Sequence, residues 1–407
     1  MRMLISFAAL FLSIALLQLS SGGVGPLDAL TGLDRGFSQP EVGFLGSAHF
    51  FGFFIGCWWA PRLMGSVGHS RAFATFTAMG AIGLAAHVIV VDPWFWALCR
   101  IGSGLCVAGC YTVVEAWLQA KVTNETRGRA MGSYRMADMG ASLVAQLMIG
   151  TLADLETYIA YNILTILCCA SLLPLALTRL PQPETPKATR LRPALAWACS
   201  PMGVAAVIVA ALSSASFRMV GPIYGQEVGL TPNQIGSFLA AYVAGGALAQ
   251  YPVGWLADKF DRRWVMIWLS VAAIVACAVT VATSGNGTTS ILLASAFFGL
   301  TTFPIYSVAT AHAHDFATSE QRVELSAAHM FFYAIGAIAA PYTTSALIGS
   351  YGPEALFYFI SAGHVVLVIF GLFRMRVRRA PEDRTRYVYA PRTSFSIGRL
   401  LGRSRER

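Results

Sequence analysis

The sequence predicts an all-α membrane protein with twelve transmembrane helices in two six-helix halves. The chain is 56% hydrophobic and only 12% charged, whereas a soluble domain carries about 25% charged residues. Apolar runs of about 20 residues, the length that crosses a bilayer, recur along the whole chain. The second half also repeats the first at an offset of about 195 residues.

The twelve predicted crossings follow one another with short connections, so no soluble domain is inserted. They span residues 4–26, 41–63, 72–91, 94–118, 131–153, 157–178, 194–217, 234–256, 264–283, 289–313, 325–348 and 355–374. An arginine followed by an apolar run, as at Arg2, is also compatible with a cleaved signal peptide. Because the first run matches the seventh, we expect it to remain in the protein as a helix.

The two halves share sequence elements at matching positions. Val24-Gly25-Pro26-Leu27 recurs as Val220-Gly221-Pro222-Ile223, and residues 111–150 align without a gap on residues 306–345. Repetition on this scale, in so apolar a chain, is typical of transporters built from two halves around a central site. We expect an N-terminal half at 1–180, a linker at 181–193, a C-terminal half at 194–375 and a basic cytoplasmic tail at 376–407.

The distribution of basic residues predicts the orientation. Most of the 29 Lys and Arg residues lie on the same side as both termini, so we place both termini in the cytoplasm of a bacterial cell and the helices in its inner membrane. The external loops carry acidic residues, among which we place Asp28. Two capping boxes, Ser38 with Glu41 and Thr231 with Gln234, are predicted to begin the second and eighth helices at the outer surface.

The tail that follows Arg374 supplies most of the net charge of +9. A basic protein can bind nucleic acid, but this charge lies next to the membrane, and we expect no nucleic-acid partner. We interpret the tail as a disordered, solvated segment that obeys the positive-inside rule. The alternative is contact with anionic lipid headgroups.

The remaining chemistry of the sequence gives no sign of catalysis. The eight cysteines lie in apolar segments without a CxxC pair, so neither a disulfide nor a zinc site is indicated. The sequence contains no Walker A element and no Ser/His/Asp or paired-carboxylate constellation. We therefore expect no cofactor, no metal and no enzymatic activity. We also expect a monomer in the lipid bilayer.

The loop between the eighth and ninth crossings carries the strongest motif, which runs from Gly254 through Asp258 to Arg262 and Arg263. It resembles the cytoplasmic loop signature of the major facilitator superfamily. Gly254 allows close helix approach, and Asp258 is suited to capping the next helix or pairing with a basic neighbour. In the corresponding first-half loop, Gly65 stands in the position of Asp258, so the carboxylate is missing.

Four further elements resemble the YcaD-type permeases of this superfamily. They are the loop at 60–71, the run Arg100-Ile-Gly-Ser-Gly104, Val113-Val114-Glu115-Ala116, and Arg127-Gly128-Arg129. The resemblance implies secondary transport of a small solute. It also implies a part in proton coupling for Arg100, whose alternative role is to brace the fourth helix against its neighbours.

Four charged residues fall inside predicted membrane helices: Arg100, Glu115, Arg135 and Asp138. Such residues usually face a cavity or a partner. Arg135 and Asp138 are neighbours on one helical face, which continues through Ser142 and Gln146. This stripe is the best candidate for a cavity wall and a proton site, and the alternative is a structural salt bridge. For Glu115 we expect a cytoplasmic gating ion pair with Arg62, Arg71, Arg127 or Arg129.

Further polar residues in the predicted helices are candidates for the substrate cavity. They are Gln18, His49, Gln146, Tyr242, Gln250, Tyr306, His329 and Tyr333. Arg218 is predicted to end the seventh helix near the outside. There it either extends to the interface or attracts an anionic substrate.

The sequence as a whole predicts a secondary active transporter that works by alternating access. Proton coupling through Asp138, Arg135 and Arg100 is the expected energy source, and the substrate is a small molecule. Two alternatives stay open. One is a drug or metabolite efflux antiporter, although the fifth helix lacks the Gly-Pro signature of that group. The other is a transporter-like membrane sensor that moves no solute.

Overall fold

The computed structural model describes residues 2–123, 126–177, 190–318, 320–377 and 384–395, without the side chains of residues 2–6, 127 and 128. These parts of the chain form helices and connecting segments, with no strand among them. The helices are α1 (Arg2–Asp34), α2 (Gln39–Val67), α3 (His69–Ala86), α4 (Pro93–Lys121), α5 (Arg127–Ala153), α6 (Thr157–Ala170), α7 (Leu172–Ala176), α8 (Pro193–Cys199), α9 (Pro201–Glu227), α10 (Pro232–Leu248), α11 (Gln250–Lys259), α12 (Arg262–Thr283), α13 (Thr288–Thr302), α14 (Ile305–His314), α15 (Arg322–Tyr351) and α16 (Ala355–Val377).

The predicted all-α membrane fold is confirmed. Within the described residues, 10 helical stretches are long and apolar enough to cross a membrane. Two further crossings complete the predicted twelve, namely α3 and the pair α10 and α11. Residues 181–189 of the predicted linker lie outside the described residues, and Pro193 at its end begins α8.

The first and seventh crossings extend further than the sequence predicts. α1 continues past residue 26 to Asp34, and α9 continues past residue 217 to Glu227. The repeated Val-Gly-Pro element therefore lies inside these helices, with Pro26 and Pro222 in their interiors. Proline is tolerated there because neighbouring groups satisfy the freed backbone in membrane helices. The predicted ends at residues 26 and 217 therefore come too early.

The starts of α2 and α10 follow from capping boxes, as predicted. Thr231 donates its backbone N–H to Gln234 Oε1 at 2.9 Å, and Gln234 N donates to Thr231 Oγ1 at 3.4 Å. Ser38 N donates to Glu41 Oε2 at 2.7 Å. The side chains thus satisfy backbone donors that the first turn of each helix leaves free.

Each half contains one very close helix crossing. A Cβ on Gly52 would lie 2.1 Å from the carbonyl oxygen of Ile101, and one on Gly104 would lie 2.0 Å from that of His49, so α2 and α4 touch through their backbones. The second half repeats this contact between α10 and α13. There, Gly245 and Gly299 would meet backbone oxygens at 1.9 and 2.0 Å. Small residues permit such approach between membrane helices.

The two halves meet directly at the end that carries both capping boxes. A Cβ on Gly43 of α2 would lie 2.5 Å from Ser345 Cβ of α15, and one on Gly150 of α5 would lie 1.8 Å from Asn233 Oδ1 of α10. Tyr342 N donates to Ser47 Oγ at 3.2 Å across the same interface. The side predicted to be external is therefore closed by helix packing.

The tail segment Arg384–Phe395 corrects the prediction of a solvated tail for the residues that it covers. It runs without regular structure between the two halves, at the end of the bundle opposite the capping boxes. Ser394 and Phe395 are buried, with 0% and 4% of their surface exposed. Complementary charges and aromatic rings on the helices hold the segment there, as described below.

We predict that Gly104→Ala lowers the stability of the protein by about 1–3 kcal/mol, because overpacking forces rigid backbones apart. Thermal unfolding in detergent, followed by intrinsic fluorescence, measures the change. Gly140→Ala is the matched control, since a Cβ at Gly140 meets nothing within 4 Å and alanine favours a helix. Equal melting temperatures for the two variants would contradict the proposed backbone contact.

Candidate functional site

A cavity of about 140 Å³ lies between the two halves, near the middle of the helices. Its wall is built by α1, α2, α4 and α5 from the first half and by α9, α10 and α15 from the second. The tail residues Tyr389, Arg392 and Thr393 also line it. The cavity combines polar and charged side chains with aromatic rings, so a small polar molecule fits its chemistry.

The charged stripe of α5 forms one side of this cavity. Arg135, Asp138, Ser142 and Gln146 all line it. Arg135 Nη1 lies 3.7 Å from Asp138 Oδ2, and 15% of each side chain is exposed. The Tyr111 hydroxyl hydrogen-bonds to Asp138. The carboxylate is therefore neutralised within the protein while remaining within reach of the cavity.

Several predicted cavity residues reach the wall. Gln18, His49, Gln146 and Tyr333 line the cavity. Gln18 Oε1 lies 2.9 Å from the hydroxyl oxygen of Tyr111, and Gln146 Nε2 donates to the carbonyl oxygen of Gly22 at 3.1 Å. These residues therefore join the α5 stripe to α1 and α4.

Four other predicted cavity residues are not part of the wall of this cavity. Tyr242 packs in an aromatic cluster, 4.5 Å from the Phe217 ring. Gln250 Nε2 donates to the carbonyl oxygen of Gly246 at 2.8 Å. His329 is fully buried, and Tyr306 lies behind Tyr333, with 5.5 Å between the ring centres. The sequence places these residues in membrane helices but does not show which neighbour each one faces.

Arg100 belongs to a separate buried cluster rather than to the cavity wall. Its Nε lies 3.4 Å from Asp28 Oδ2, and His87 Nε2 lies 3.6 Å from the same oxygen. The Tyr161 hydroxyl donates to Asp28 Oδ1 at 2.6 Å. Asp28 was predicted in an external loop and is in fact buried in α1. The feature of the sequence that relates to this placement of Asp28 is the internal repeat, because the equivalent helix α9 also continues beyond its proline.

Arg218 lies inside α9 rather than at its end, and it lines the cavity. Within the described residues it forms no ion pair. It therefore places a cationic group on the cavity wall that no carboxylate among the described residues pairs with. The sequence analysis did not place Arg218 in the cavity, because it predicted the end of this helix too early.

The signature loop is built around a buried arginine. Arg262 Nη1 lies 2.7 Å from Asp315 Oδ1, and both side chains are 1% exposed. Arg262 Nη2 lies 3.5 Å from Asp258 Oδ1, so Asp258 pairs within the loop and does not cap the helix. Asp261 caps α12 instead, accepting from Arg263 N at 3.0 Å. Burial opposes ionisation of Asp261, but hydrogen bonds from Arg263 outweigh it and lower its pKa.

Two details of the end predicted to be cytoplasmic differ from the sequence analysis. Gly254 faces a tail residue rather than a helix, since a Cβ there would lie 3.0 Å from the Tyr387 ring. Glu115 is buried and forms no ion pair within the described residues. It accepts a hydrogen bond from the Tyr134 hydroxyl at 3.1 Å and others from Thr393 and Ser394.

The arginines expected to pair with Glu115 lie elsewhere. Arg71 and Arg129 are exposed. Arg62 lies over the Trp58 ring at 4.0 Å, and the side chain of Arg127 lies outside the described residues. Tail hydroxyl groups take the place that the sequence assigned to these cations.

Twelve membrane crossings in two halves around a polar central cavity are the architecture of a secondary transporter. Comparison with known proteins leads to the same class of protein. The family model of the Major Facilitator Superfamily matches residues 10–199 and 203–404. The chain belongs to the Major Facilitator Superfamily, as the loop signature indicated.

Relatives in the same family include YcaD-type proteins. An uncharacterised MFS-type transporter of Enterobacter sp. (strain 638) is 29% identical over 355 residues, covering 86% of this chain and 89% of the relative. The uncharacterised MFS-type transporter YcaD of Escherichia coli O7:K1 is 28% identical over 326 residues, covering 79% of this chain and 83% of the relative.

Solved transporters share the fold at low sequence identity. A crystal structure of the nucleoside transporter NupG has a TM-score of 0.72 at 13% identity, covering 93% of this chain and 100% of that one. A bacterial homologue of the human lysosomal transporter Spinster, in an inward-facing and occupied conformation, has a TM-score of 0.71 at 17% identity, covering 93% and 98%.

We predict that Asp28→Asn destabilises the protein by about 3–5 kcal/mol, because it leaves the Arg100 guanidinium buried without its counter-charge. The double variant Asp28→Asn/Arg100→Gln should recover much of the loss. Asp34→Asn is the control, since Asp34 lies exposed on the same helix. Thermal unfolding in detergent measures the stability of all three variants. An Asp28→Asn protein as stable as the control would show that the cluster is not a buried ion pair in solution.

Proposed function

We propose that this protein couples proton movement to the transport of a small anionic solute across the bacterial inner membrane, with both termini in the cytoplasm. The observation that carries the proposal is the charge on the cavity wall. Arg135 and Asp138 balance one another, whereas Arg218 has no counter-charge within the described residues. A carboxylate or phosphate group on the solute would supply that charge at a site of low dielectric, where pairing is strong.

The Arg135–Asp138 pair supplies the proton site in this proposal. While the two groups are in contact, the guanidinium balances the carboxylate. If the alternating cycle separates them, the carboxylate becomes an uncompensated charge beside apolar protein, which is costly. A proton from cavity water would neutralise it. Renewed pairing with Arg135 would release that proton on the other side of the membrane.

The function is tested with purified protein in liposomes, without and with an imposed proton gradient. A panel of labelled monocarboxylates, dicarboxylates and phosphate esters should contain solutes that accumulate only with the gradient, while organic cations should not. Accumulation of organic cations in exchange for protons would instead support the drug antiporter. Absence of flux for every solute would support the sensor.

We predict that Asp138→Asn abolishes gradient-driven accumulation while solute exchange without a gradient persists, because an amide preserves the shape of the cavity but carries no proton. Asp154→Asn, at the exposed end of the same helix, is the control and should behave as the unaltered protein. If a stable Arg135→Ala/Asp138→Ala protein accumulates solute at the full rate, the pair is a structural brace and the coupling proposal is wrong.

We predict that Arg218→Gln weakens anion binding about 10- to 100-fold, the range expected for loss of one charge-assisted hydrogen bond. Arg218→Lys should retain part of the affinity, because it keeps the charge but not the planar fork. Arg35→Gln, on the exposed outer surface, is the control. Equilibrium binding of the transported anion is the measurement. Unchanged affinity in Arg218→Gln would remove the anionic class from the proposal.

A further inference from the structure

The tail segment Arg384–Phe395 occupies the space between the two halves at the predicted cytoplasmic end, and the proposed transport cycle does not use it. Its contacts extend from the signature loop of the second half to α2 and α4 of the first. The segment therefore connects the two halves, whose relative movement a transport cycle requires.

The first part of the segment binds the signature loop and α14 with its C-cap residue, Asp315. Thr385 donates from its N–H and its hydroxyl to Asp315 Oδ1, at 2.7 and 2.6 Å. Tyr387 N donates to Asp258 Oδ1 at 2.5 Å. Ala390 N donates to Ser307 Oγ at 3.2 Å. Backbone donors of an extended peptide thus meet the carboxylates of Asp258 and Asp315 and the hydroxyl of Ser307.

The middle of the segment enters the central cavity. Arg392 lies over the rings of Phe303, Tyr333 and Tyr306, at 4.7, 5.4 and 5.9 Å from their centres. Three rings around one guanidinium form an aromatic cage, which favours a cation. Facing it, the ring of Tyr389 lies 3.9 Å from the Arg135 guanidinium.

The last part of the segment binds the first half. Thr393 and Ser394 donate hydroxyl hydrogen bonds to the buried carboxylate of Glu115. The Phe395 ring lies 5.9 Å from that of Phe54 on α2. These contacts satisfy a carboxylate that has no counter-charge in the described part of the chain.

We propose that the space between the halves is a binding site for an extended basic and aromatic peptide, and that residues 384–395 are its intramolecular ligand. The docked segment closes the cytoplasmic entrance of the cavity while helix packing closes the other end. The segment contacts both halves only when they stand apart at this end. Its binding therefore favours the conformation that is open at this end over the one that is closed here. Exchange of solute with the cytoplasm then requires the segment to leave.

Cysteine accessibility tests the proposal without any transported solute. The probe is a membrane-impermeant maleimide applied to inside-out vesicles, which expose the cytoplasmic side. The reporter is Ser142→Cys on the cavity wall, in a background with Cys169→Ser, since Cys169 is the exposed one of the eight cysteines. Ser66→Cys, at the exposed end of α2, controls for vesicle orientation and reagent access.

A chain that ends at Asp383 should label at Ser142→Cys at least about tenfold faster than the full chain, with Ser66→Cys unchanged. Arg392→Ala in the full chain should give a rise of about tenfold, because it removes a desolvated cation–π contact and the hydrogen bond that Arg392 Nη1 donates to the Tyr333 hydroxyl at 3.4 Å. Val388→Ala, at an exposed position of the same segment, should change nothing. Equal labelling of the truncated and full chains would overturn the proposal.

A synthetic peptide of residues 384–395 separates occupancy of the site from damage caused by truncation. Added to the truncated protein, it should restore protection of Ser142→Cys. The same peptide with alanine at Arg392, Thr393 and Ser394 should fail. If neither peptide protects, the segment is not a ligand of the site and the proposal is wrong. Because no solute flux is measured, this outcome is independent of the proposed anion transport.

Discussion

The constraint that shapes this protein is that a charge inside the bilayer must be balanced by another part of the protein. Buried carboxylates and guanidinium groups meet in pairs, Asp28 with Arg100 and Arg262 with Asp315. Each pair joins different helices or a helix and a loop, so neutralisation also fixes how the helices pack. Isolated charges at such depth would cost several kcal/mol each. Within the described residues, three charges depart from this rule. Arg218 lies unpaired in the cavity, Arg392 is held there by aromatic rings, and Glu115 accepts hydroxyl hydrogen bonds instead of pairing with a cation.

The glycine crossings supply the symmetrical part of the architecture. α2 meets α4 as α10 meets α13, and the two contacts place glycines at repeated positions of the chain. The polar residues do not follow this symmetry. The first half carries the Arg135–Asp138 pair, whereas the second half presents the rings of Phe303 and Tyr333. A rigid, repeated framework therefore carries two unlike walls, one charged and one aromatic.

The parts that sequence predicted well depend on local spacing. The capping box at Thr231 and the shared face of Arg135 and Asp138 involve residues three apart, and helix geometry fixes such relations. The parts that it missed depend on contacts between distant segments. Asp28 meets Arg100 on another helix, and Glu115 meets the tail, so periodicity gives no hint of either. His329 and Tyr242 show the same limit, because a polar residue in a membrane helix does not reveal its partner.

The tail and the signature loop are parts of one arrangement. Asp258 both pairs with Arg262 and accepts from the backbone of Tyr387, so the residues that stabilise the loop also hold the tail. The first-half loop has Gly65 where the second has Asp258 and lacks this acceptor. Its half contributes the buried carboxylate of Glu115 instead, which lies deeper and accepts only hydroxyl groups from the described tail. The docked segment therefore has a fixed direction, with its first part held at the second half and its last residues, Thr393 to Phe395, held at the first.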